Sequence, residues 1–340
     1  MQIPRYWAQA RLRQETSKTH GATVQRWGWS DISQAEAETH AQQRAQEALD
    51  DVLKAPVQRH LAPDFERMEW ANEYSLFAPT PIREEILEQR GETVMTRNSY
   101  GAHCLNTDKV AIADLDYPRE SDAPGFPWIV LLILLSALPW LWIEPISWNG
   151  HQIALIFIIA CMGLLFRARL KRWNDARQAK QQNPSTAANR AMARVLQVQA
   201  RYPDWGLRLY QTPKGLRIIV THASWDWQAP QVQALFQEMG VDPVYALLCE
   251  KQQCFRARVT GKPWRMGMSG LSTQERHWPV KPQHQPGRHE WSQYYDEEAQ
   301  QFAACRFLQQ LGPSTFCAEA QAFVLWHDSA SKALTQLPLA

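Results

Sequence analysis

Two long runs without a charged residue constrain the fold of this chain more than any other feature of its sequence. Residues 126–143 and 148–166 contain no Asp, Glu, Lys or Arg, and a short turn separates them. About 20 apolar residues in a helix are enough to span a bilayer, and runs this uniform exceed what burial of one helix face requires. The sequence therefore predicts a transmembrane helical hairpin over residues 123–166, with two buried helices of one core as the alternative.

Basic residues predict the orientation of this hairpin. Four of them directly follow the second run: Arg167, Arg169, Lys171 and Arg172. The turn between the runs has no Lys or Arg. Because basic loops stay on the cytoplasmic side, we expect a two-span protein of a bacterial inner (plasma) membrane with both termini in the cytoplasm. Residues 167–201 are predicted to form basic juxtamembrane helices that contact the lipid bilayer, and a nucleic-acid surface is the alternative.

The segments on either side of the hairpin alternate short strands with helices. Residues 1–82 are predicted to be a helical and irregular N-terminal region. Residues 83–122 contain four short strand patterns, and residues 202–330 contain a strand–turn–strand pattern, several helices and a further strand. Since two spans return the chain to its starting side, we expect 83–122 and 202–330 to assemble one cytoplasmic α+β domain, with a mixed or antiparallel sheet and flanking helices.

Composition and motifs argue against several function classes. The net charge of +2 does not favour any particular partner. The six cysteines show no CxxC or Cys/His spacing, so we expect reduced thiols and no zinc site. Because the chain has no GxGxxG, GxxxxGK or GxSxG pattern, nothing in it indicates a nicotinamide site, a Walker-type ATP site or a serine hydrolase.

Two carboxylates end the apolar strand pattern "KVAIADLD", and they are the first candidate site. Asp114 and Asp116 share one face of the predicted strand, with Cα atoms about 6.6 Å apart. Two such charges repel each other unless a cation lies beside them. Mg²⁺ or Mn²⁺ would suit, since such an ion takes one or two carboxylates and keeps water or phosphate as its other ligands, which supports phosphoryl or nucleotidyl transfer. The alternative is a polar strand end at which Arg97 or Arg217 pairs with an aspartate.

Three stretches, "ADLDY", "TPKGLRIIV" and "VDPVYALLCEKQQCFRAR", occur in this order. Together they resemble the three catalytic motifs of the archaeo-eukaryotic primase superfamily, the primase-polymerases. Asp114 and Asp116 match the DxD or DxE of the first motif, and Asp242 is similar to the acidic residue of the third. Arg217 stands where the second motif has a histidine. The resemblance implies metal ligands at the three aspartates and contacts from basic residues to a nucleoside triphosphate.

Basic side chains near these stretches are predicted to contact phosphate groups of a nucleotide or nucleic acid. The candidates are Lys214, Arg217, Arg256, Arg258 and Lys262. The last three and Arg265 alternate along a strand and continue into a loop that contains Trp264, a combination that can bind a single strand. An exposed edge strand with solvated charges is the alternative.

We therefore predict a membrane-anchored cytoplasmic domain with a divalent-metal, nucleotide or nucleic-acid site of primase-polymerase type, active or inactive. The alternative is a non-enzymatic interaction or scaffold protein of the inner membrane.

Overall fold

The structure, a computed structural model, describes five stretches of the chain: residues 1–15, 21–54, 81–117, 164–171 and 184–340. The chain forms two compact units. One consists of Met1–Asp116 together with Arg194–Ala340, and the other is Tyr117–Ala193. Every residue of the candidate site belongs to the first unit, which is therefore built from two separate parts of the sequence.

The N-terminal part of this unit is a strand hairpin covered by one helix. β1 (Tyr6–Glu15) and β2 (Gly21–Ser30) are antiparallel, and α1 (Gln34–Lys54) packs against them. Two buried clusters lie between the hairpin and the helix: one consists of alanines, and the other includes Val24, Leu49 and Val52. A Cβ atom on Gly28 would lie 2.1 Å from the backbone nitrogen of Ala41, so only glycine lets the helix approach the strand this closely.

Two four-stranded sheets account for the other described strands. In chain order these strands are β3 (Glu85–Arg90), β4 (Thr93–Arg97), β5 (His103–Thr107), β6 (Ile112–Asp116), β7 (Leu207–Thr212), β8 (Gly215–Val220), β9 (Phe255–Arg258) and β10 (Arg306–Leu311). One sheet has the order β3-β4-β5-β9 and the other the order β10-β7-β8-β6. All of their strand pairs are antiparallel.

Besides a helical stretch at residues 164–171, the described helices after α1 are α2 (Pro184–Arg201), α3 (Pro230–Met239), α4 (Pro243–Gln252), α5 (Gln285–Glu298) and α6 (Ala318–Ser331). The end of α3 and the start of α4 follow local rules. Gly240 closes α3 with a φ of 66°, a left-handed conformation that favours glycine. Asp242 caps α4, whose first residue is a proline, as expected at a helix N-terminus.

Side-chain hydrogen bonds join the two sheets near β6. Nη1 of Arg217 in β8 donates to the backbone oxygen of Arg258 in β9 at 2.8 Å. The hydroxyl of Tyr245 in α4 donates to the backbone oxygen of Ile112 in β6 at 3.1 Å. The ends of β6 and β9 and the start of α4 therefore lie together, and the predicted site residues are at this place.

The structure contradicts the predicted membrane topology. No helix among the described residues is long and apolar enough to cross a membrane. Their two longest helices, α1 and α2, both carry charged side chains, which a bilayer-spanning helix of about 20 apolar residues lacks. The described helical residues at 164–171 include three basic ones. The prediction of a two-helix transmembrane hairpin over 123–166, and with it a two-span inner-membrane protein, is therefore wrong; residues 118–163 lie outside the described part.

The fold is α+β with antiparallel sheets and flanking helices. The predicted strands in the segment before residue 117 are confirmed as β3 to β6, and the strand–turn–strand pattern is confirmed as β7 and β8. The single predicted sheet is instead two four-stranded sheets, because β3, β4 and β5 pair with β9 and not with β6.

Candidate functional site

Asp114 and Asp116 lie on β6, which pairs with β8 and with no other strand of the described residues, so it is an edge strand among them. In this ladder Asp114 is opposite Arg217 and Asp116 is opposite Gly215. Asp114 is half-buried, and Asp116, at the end of the strand, is exposed. The two carboxylates are therefore in different environments although they share a face of the strand.

Asp114 forms a bidentate ion pair with Arg217. Nε of Arg217 donates to Oδ1 at 2.9 Å and Nη2 donates to Oδ2 at 3.1 Å. The Arg217 side chain is only 4% exposed. Burial lowers the pKa of Arg217, but the charge and hydrogen bonds of Asp114 outweigh this effect and raise it. The predicted alternative, in which Arg217 pairs with an aspartate of the strand end, is thus observed, whereas Arg97 pairs with Asp296.

Asp242 lies beside β6 because its backbone nitrogen donates to the backbone oxygen of Asp114 at 3.1 Å. Its Oδ1 accepts a hydrogen bond from the backbone nitrogen of Val244 at 3.1 Å and so caps α4. Although Asp116 is exposed, neighbouring atoms partly desolvate its carboxyl group, and this effect, followed by the charges of Asp242 and Asp114, raises the pKa of Asp116. The structure therefore brings together the three aspartates that the motif resemblance selected.

These aspartates do not form a ready metal site. In the part of the chain that the structure describes, no group of three His, Cys, Asp or Glu side chains is placed to hold one metal ion. Both carboxylate oxygens of Asp114 face Arg217, and one oxygen of Asp242 caps a helix. The donor set thus does not fit a shared ion as it stands. Mg²⁺ or Mn²⁺ binding stays a prediction.

Arg217 and Arg256, two of the predicted phosphate contacts, are already paired with carboxylates. Nη2 of Arg256 lies 2.6 Å from both carboxylate oxygens of Glu84, whose side chain is 2% exposed. Taking one partner away from a buried pair leaves an uncompensated charge in the interior. Both arginines therefore hold the fold together in this conformation and do not face a ligand.

The other predicted basic residues, with Arg265, form what we call the cationic surface: Lys214, Arg258, Lys262 and Arg265. Lys214 lies in the turn between β7 and β8, and Arg258 ends β9. Lys262 directly precedes a short 3-10 turn at Pro263–Arg265, and Arg265 is the last residue of that turn. Among the described residues, none of the four forms an ion pair, in contrast to Arg217 and Arg256. Arg258 does donate hydrogen bonds to two backbone oxygens.

Two aromatic rings flank Lys262. Its Nζ lies 5.4 Å from the ring centroid of Trp264 and 5.7 Å from that of Tyr100. The two rings meet edge to face with centroids 5.4 Å apart. Trp264 is 57% exposed. An exposed indole next to several cations offers both a stacking face and a charged edge to a ligand.

The charges of the cationic surface act most strongly on Lys262. Burial and the charges of Arg258 and Arg265 lower the pKa of Lys262 to about 8. The charge of Asp116 raises it and that of Lys214 lowers it further. The mutual repulsion is thus only partly compensated within the described residues, and an anion bound at this place would relieve it.

A buried His–Asp–Cys group also contacts Arg217. Nε2 of His327 is 3.4 Å from Nη1 of Arg217 and 3.8 Å from Sγ of Cys305, and its Nδ1 is 3.0 Å from Oδ1 of Asp328. Burial raises the pKa of Cys305, but His327 outweighs this effect and lowers it. Because Cys305 and His327 are 0% exposed, a substrate does not reach the thiol, and we assign this group to the support of Arg217.

Sequence reasoning included Arg265 in the basic run with Arg256, Arg258 and Lys262, but it missed one member of the site. Tyr100 lies in the connection between β4 and β5, in the other part of the unit's sequence, and no local pattern indicated that it would meet Lys262. No protein-family model, curated protein or solved structure matches this chain. The resemblance to primase-polymerases therefore stays a prediction from short motifs.

Proposed function

We propose that the cationic surface binds phosphate groups of a nucleotide or of a nucleic-acid strand, and that Trp264 stacks on a base. One observation carries the proposal. Four basic side chains come together without a carboxylate partner among the described residues, while Arg97, Arg217 and Arg256 each have one. Grouping like charges costs free energy, and a bound anion is the usual compensation for it.

The chemistry of the cationic surface suits phosphate. Guanidinium groups donate two parallel hydrogen bonds to phosphate oxygens, and an ammonium group adds a point charge. Arg258, Lys262 and Arg265 can supply both kinds of donor within one site. Stacking of a base on an aromatic ring contributes about 1–3 kcal/mol and tolerates any base, so the exposed indole of Trp264 supports binding of many sequences.

The charge of Asp116 distinguishes two modes of phosphate binding at this site. It is exposed, it has no ion pair in the described part of the chain, and its charge acts on Lys262. A phosphate bound directly by the basic side chains is repelled by this carboxylate. A phosphate bound through a divalent cation, as the motif resemblance implies, would instead need it.

Binding is measured by fluorescence anisotropy of a labelled oligodeoxythymidine, with ATP and inorganic pyrophosphate as competitors. Loss of one charge-assisted contact, in Arg265→Gln or Lys262→Gln, is expected to weaken binding by about 10- to 100-fold, equivalent to about 1.5–3 kcal/mol. The matched control is Lys251→Gln, which removes a lysine paired with Glu250 on α4 and should leave binding unchanged. Trp264→Ala should weaken binding of the oligonucleotide and of ATP but not of pyrophosphate.

Two outcomes would overturn the proposal. One is the absence of binding by all three ligands. The other is equal affinity of the wild type and of Arg265→Gln and Lys262→Gln. Asp116→Asn separates the two modes of phosphate binding, because it should strengthen direct binding and weaken binding that depends on Mg²⁺.

A further inference from the structure

We infer that Lys262 is a nucleophile that forms an imine with a small carbonyl compound bearing a phosphate group. The inference rests on the proposed function, because the cationic surface would hold the phosphate. It adds a covalent step to that site and names a narrower class of ligand.

The position of Lys262 is unusual for a lysine. It is half-buried, and its Nζ has no hydrogen bond or ion pair within the described residues, although it lies over the rings of Trp264 and Tyr100. A lysine that serves solubility is exposed, and a lysine that serves stability faces a carboxylate. Lys262 does neither, so its amine is free for a ligand that enters beside the exposed indole.

The groups around Lys262 favour its uncharged form. Arg258 from β9, Arg265 from the 3-10 turn and Lys214 from the β7–β8 turn act against its charge. Asp116 from β6 acts for it, and so do the ring faces of Trp264 and Tyr100. Together with burial they lower its pKa to about 8. At pH 8 about half of the amine is neutral, roughly a hundredfold more than for a lysine with the ordinary pKa of about 10.4. The neutral amine is the nucleophile, and neighbouring cations are a known means of producing it.

The step conserves atoms and electrons without an oxidant or reductant. The lone pair of Nζ attacks the carbonyl carbon, and the C=O π electrons move to the oxygen, which takes a proton from water while the nitrogen gives one proton back to the hydroxide left behind. The resulting carbinolamine loses its hydroxyl group and the second nitrogen proton as water while the C=N double bond forms. The sum is amine plus carbonyl giving imine plus water, and hydrolysis reverses it. Arg258 and Arg265 would hold the phosphate during the step, and Trp264 would cover a planar ligand.

Pyridoxal 5′-phosphate is a suitable probe, because it is a planar aldehyde with a phosphate group, and pyridoxal is the same aldehyde without it. The full chain is incubated with either compound, reduced with sodium borohydride to fix the imine, and digested for mass spectrometry of the labelled lysines. We expect labelling at Lys262 to exceed that at Lys251 by at least about tenfold and to have its midpoint near pH 8. Labelling of Lys262 should be about tenfold lower with pyridoxal than with pyridoxal 5′-phosphate. It should also be about tenfold lower in the Arg265→Gln variant than in the wild type.

The variant Lys262→Arg keeps the charge and removes the nucleophile. It should retain pyrophosphate binding within about threefold, because guanidinium also binds phosphate, and lose the label. Pyrophosphate binding without a label at Lys262 would overturn this inference and leave the proposed function intact. Absence of both would overturn both. Equal labelling of all lysines, by either aldehyde, would show an adventitious reaction and also overturn the inference.

Discussion

The substitution Asp114→Asn is expected to lower the free energy of unfolding by about 3 kcal/mol, because it leaves the guanidinium of Arg217 in the interior without its counter-charge. The Arg217 side chain is 4% exposed and both oxygens of Asp114 accept its hydrogen bonds. The Asp114 side chain is 26% exposed, so we expect the lower end of the 3–5 kcal/mol range for a broken buried pair. Urea unfolding followed by tryptophan fluorescence measures the effect at an unchanged m-value.

The matched control is Asp116→Asn, which changes the second carboxylate of the same strand face. Asp116 is exposed and has no ion pair among the described residues, so the free energy of unfolding should change by no more than about 0.5 kcal/mol. Equal losses for the two variants would contradict the structural role of the Asp114–Arg217 pair. A stabilisation of the wild type by Mn²⁺ that Asp114→Asn abolishes would instead identify Asp114 as a metal ligand.

The substitution Gly215→Ala is expected to destabilise the protein by about 3 kcal/mol, at the upper end of the usual cost of overpacking. A Cβ atom at Gly215 would lie 1.8 Å from the backbone oxygen of Leu115 and 2.8 Å from its carbonyl carbon. Backbone atoms cannot rotate away from such a contact, so β8 would have to move away from β6. Because Lys214 and Asp116 lie at this end of the ladder, phosphate binding should weaken as well.

Gly270→Ala is the control for this variant. No heavy atom lies within 4 Å of a Cβ built on Gly270, and its φ is outside the left-handed region, so we expect a change close to zero or a slight stabilisation. Both variants are compared by urea unfolding and by pyrophosphate titration. A Gly215→Ala protein as stable as the wild type would contradict the pairing of β6 with β8 at this position.

Local patterns predicted most of the elements near the site. The apolar run before Asp114 predicted β6, and the turn at Pro213-Lys214-Gly215 predicted the β7–β8 hairpin. Gly240 predicted the end of α3. These features depend on residues close together in the chain, where side-chain period and turn chemistry decide the structure. The convergence of Asp242 on the strand of Asp114 was predicted only through the resemblance between motifs.

Features that depend on distant residues were not predicted. The alternation of side chains along β9 predicted that Arg256 and Arg258 lie on one side of the strand and both contact phosphate. In the structure, Glu84 pairs with Arg256 and not with Arg258. Nothing near Arg256 in the sequence identifies this partner. The assignment of β6 and β5 to different sheets likewise depends on the pairing of each with a strand more than a hundred residues later.

Two helix and strand assignments failed for local reasons. The β1–β2 hairpin was missed because its strands are rich in Ala, Gln and Arg and carry few β-branched residues. Among the helices that the sequence predicts within residues 202–330, one has an apolar stripe and ends at Gly312; the stripe consists of Trp291, Tyr295, Phe302, Cys305 and Leu308. In the structure α5 ends at Glu298, a 3-10 turn follows it, and β10 comes after this turn. The prediction failed because an apolar stripe of helical period does not show where the helix ends.

The position of a bound phosphate analogue tests the proposed function most directly. Tungstate resembles phosphate in shape and charge, and its anomalous scattering locates it without ambiguity in crystals of the full chain. We predict a tungstate ion within hydrogen-bond distance of Arg258, Lys262 and Arg265, and its loss in Arg265→Gln crystals. Two results would show that these unpaired basic side chains do not form an anion site. One is tungstate that binds only at other places, and the other is tungstate with the same occupancy in the variant crystals as in the wild type.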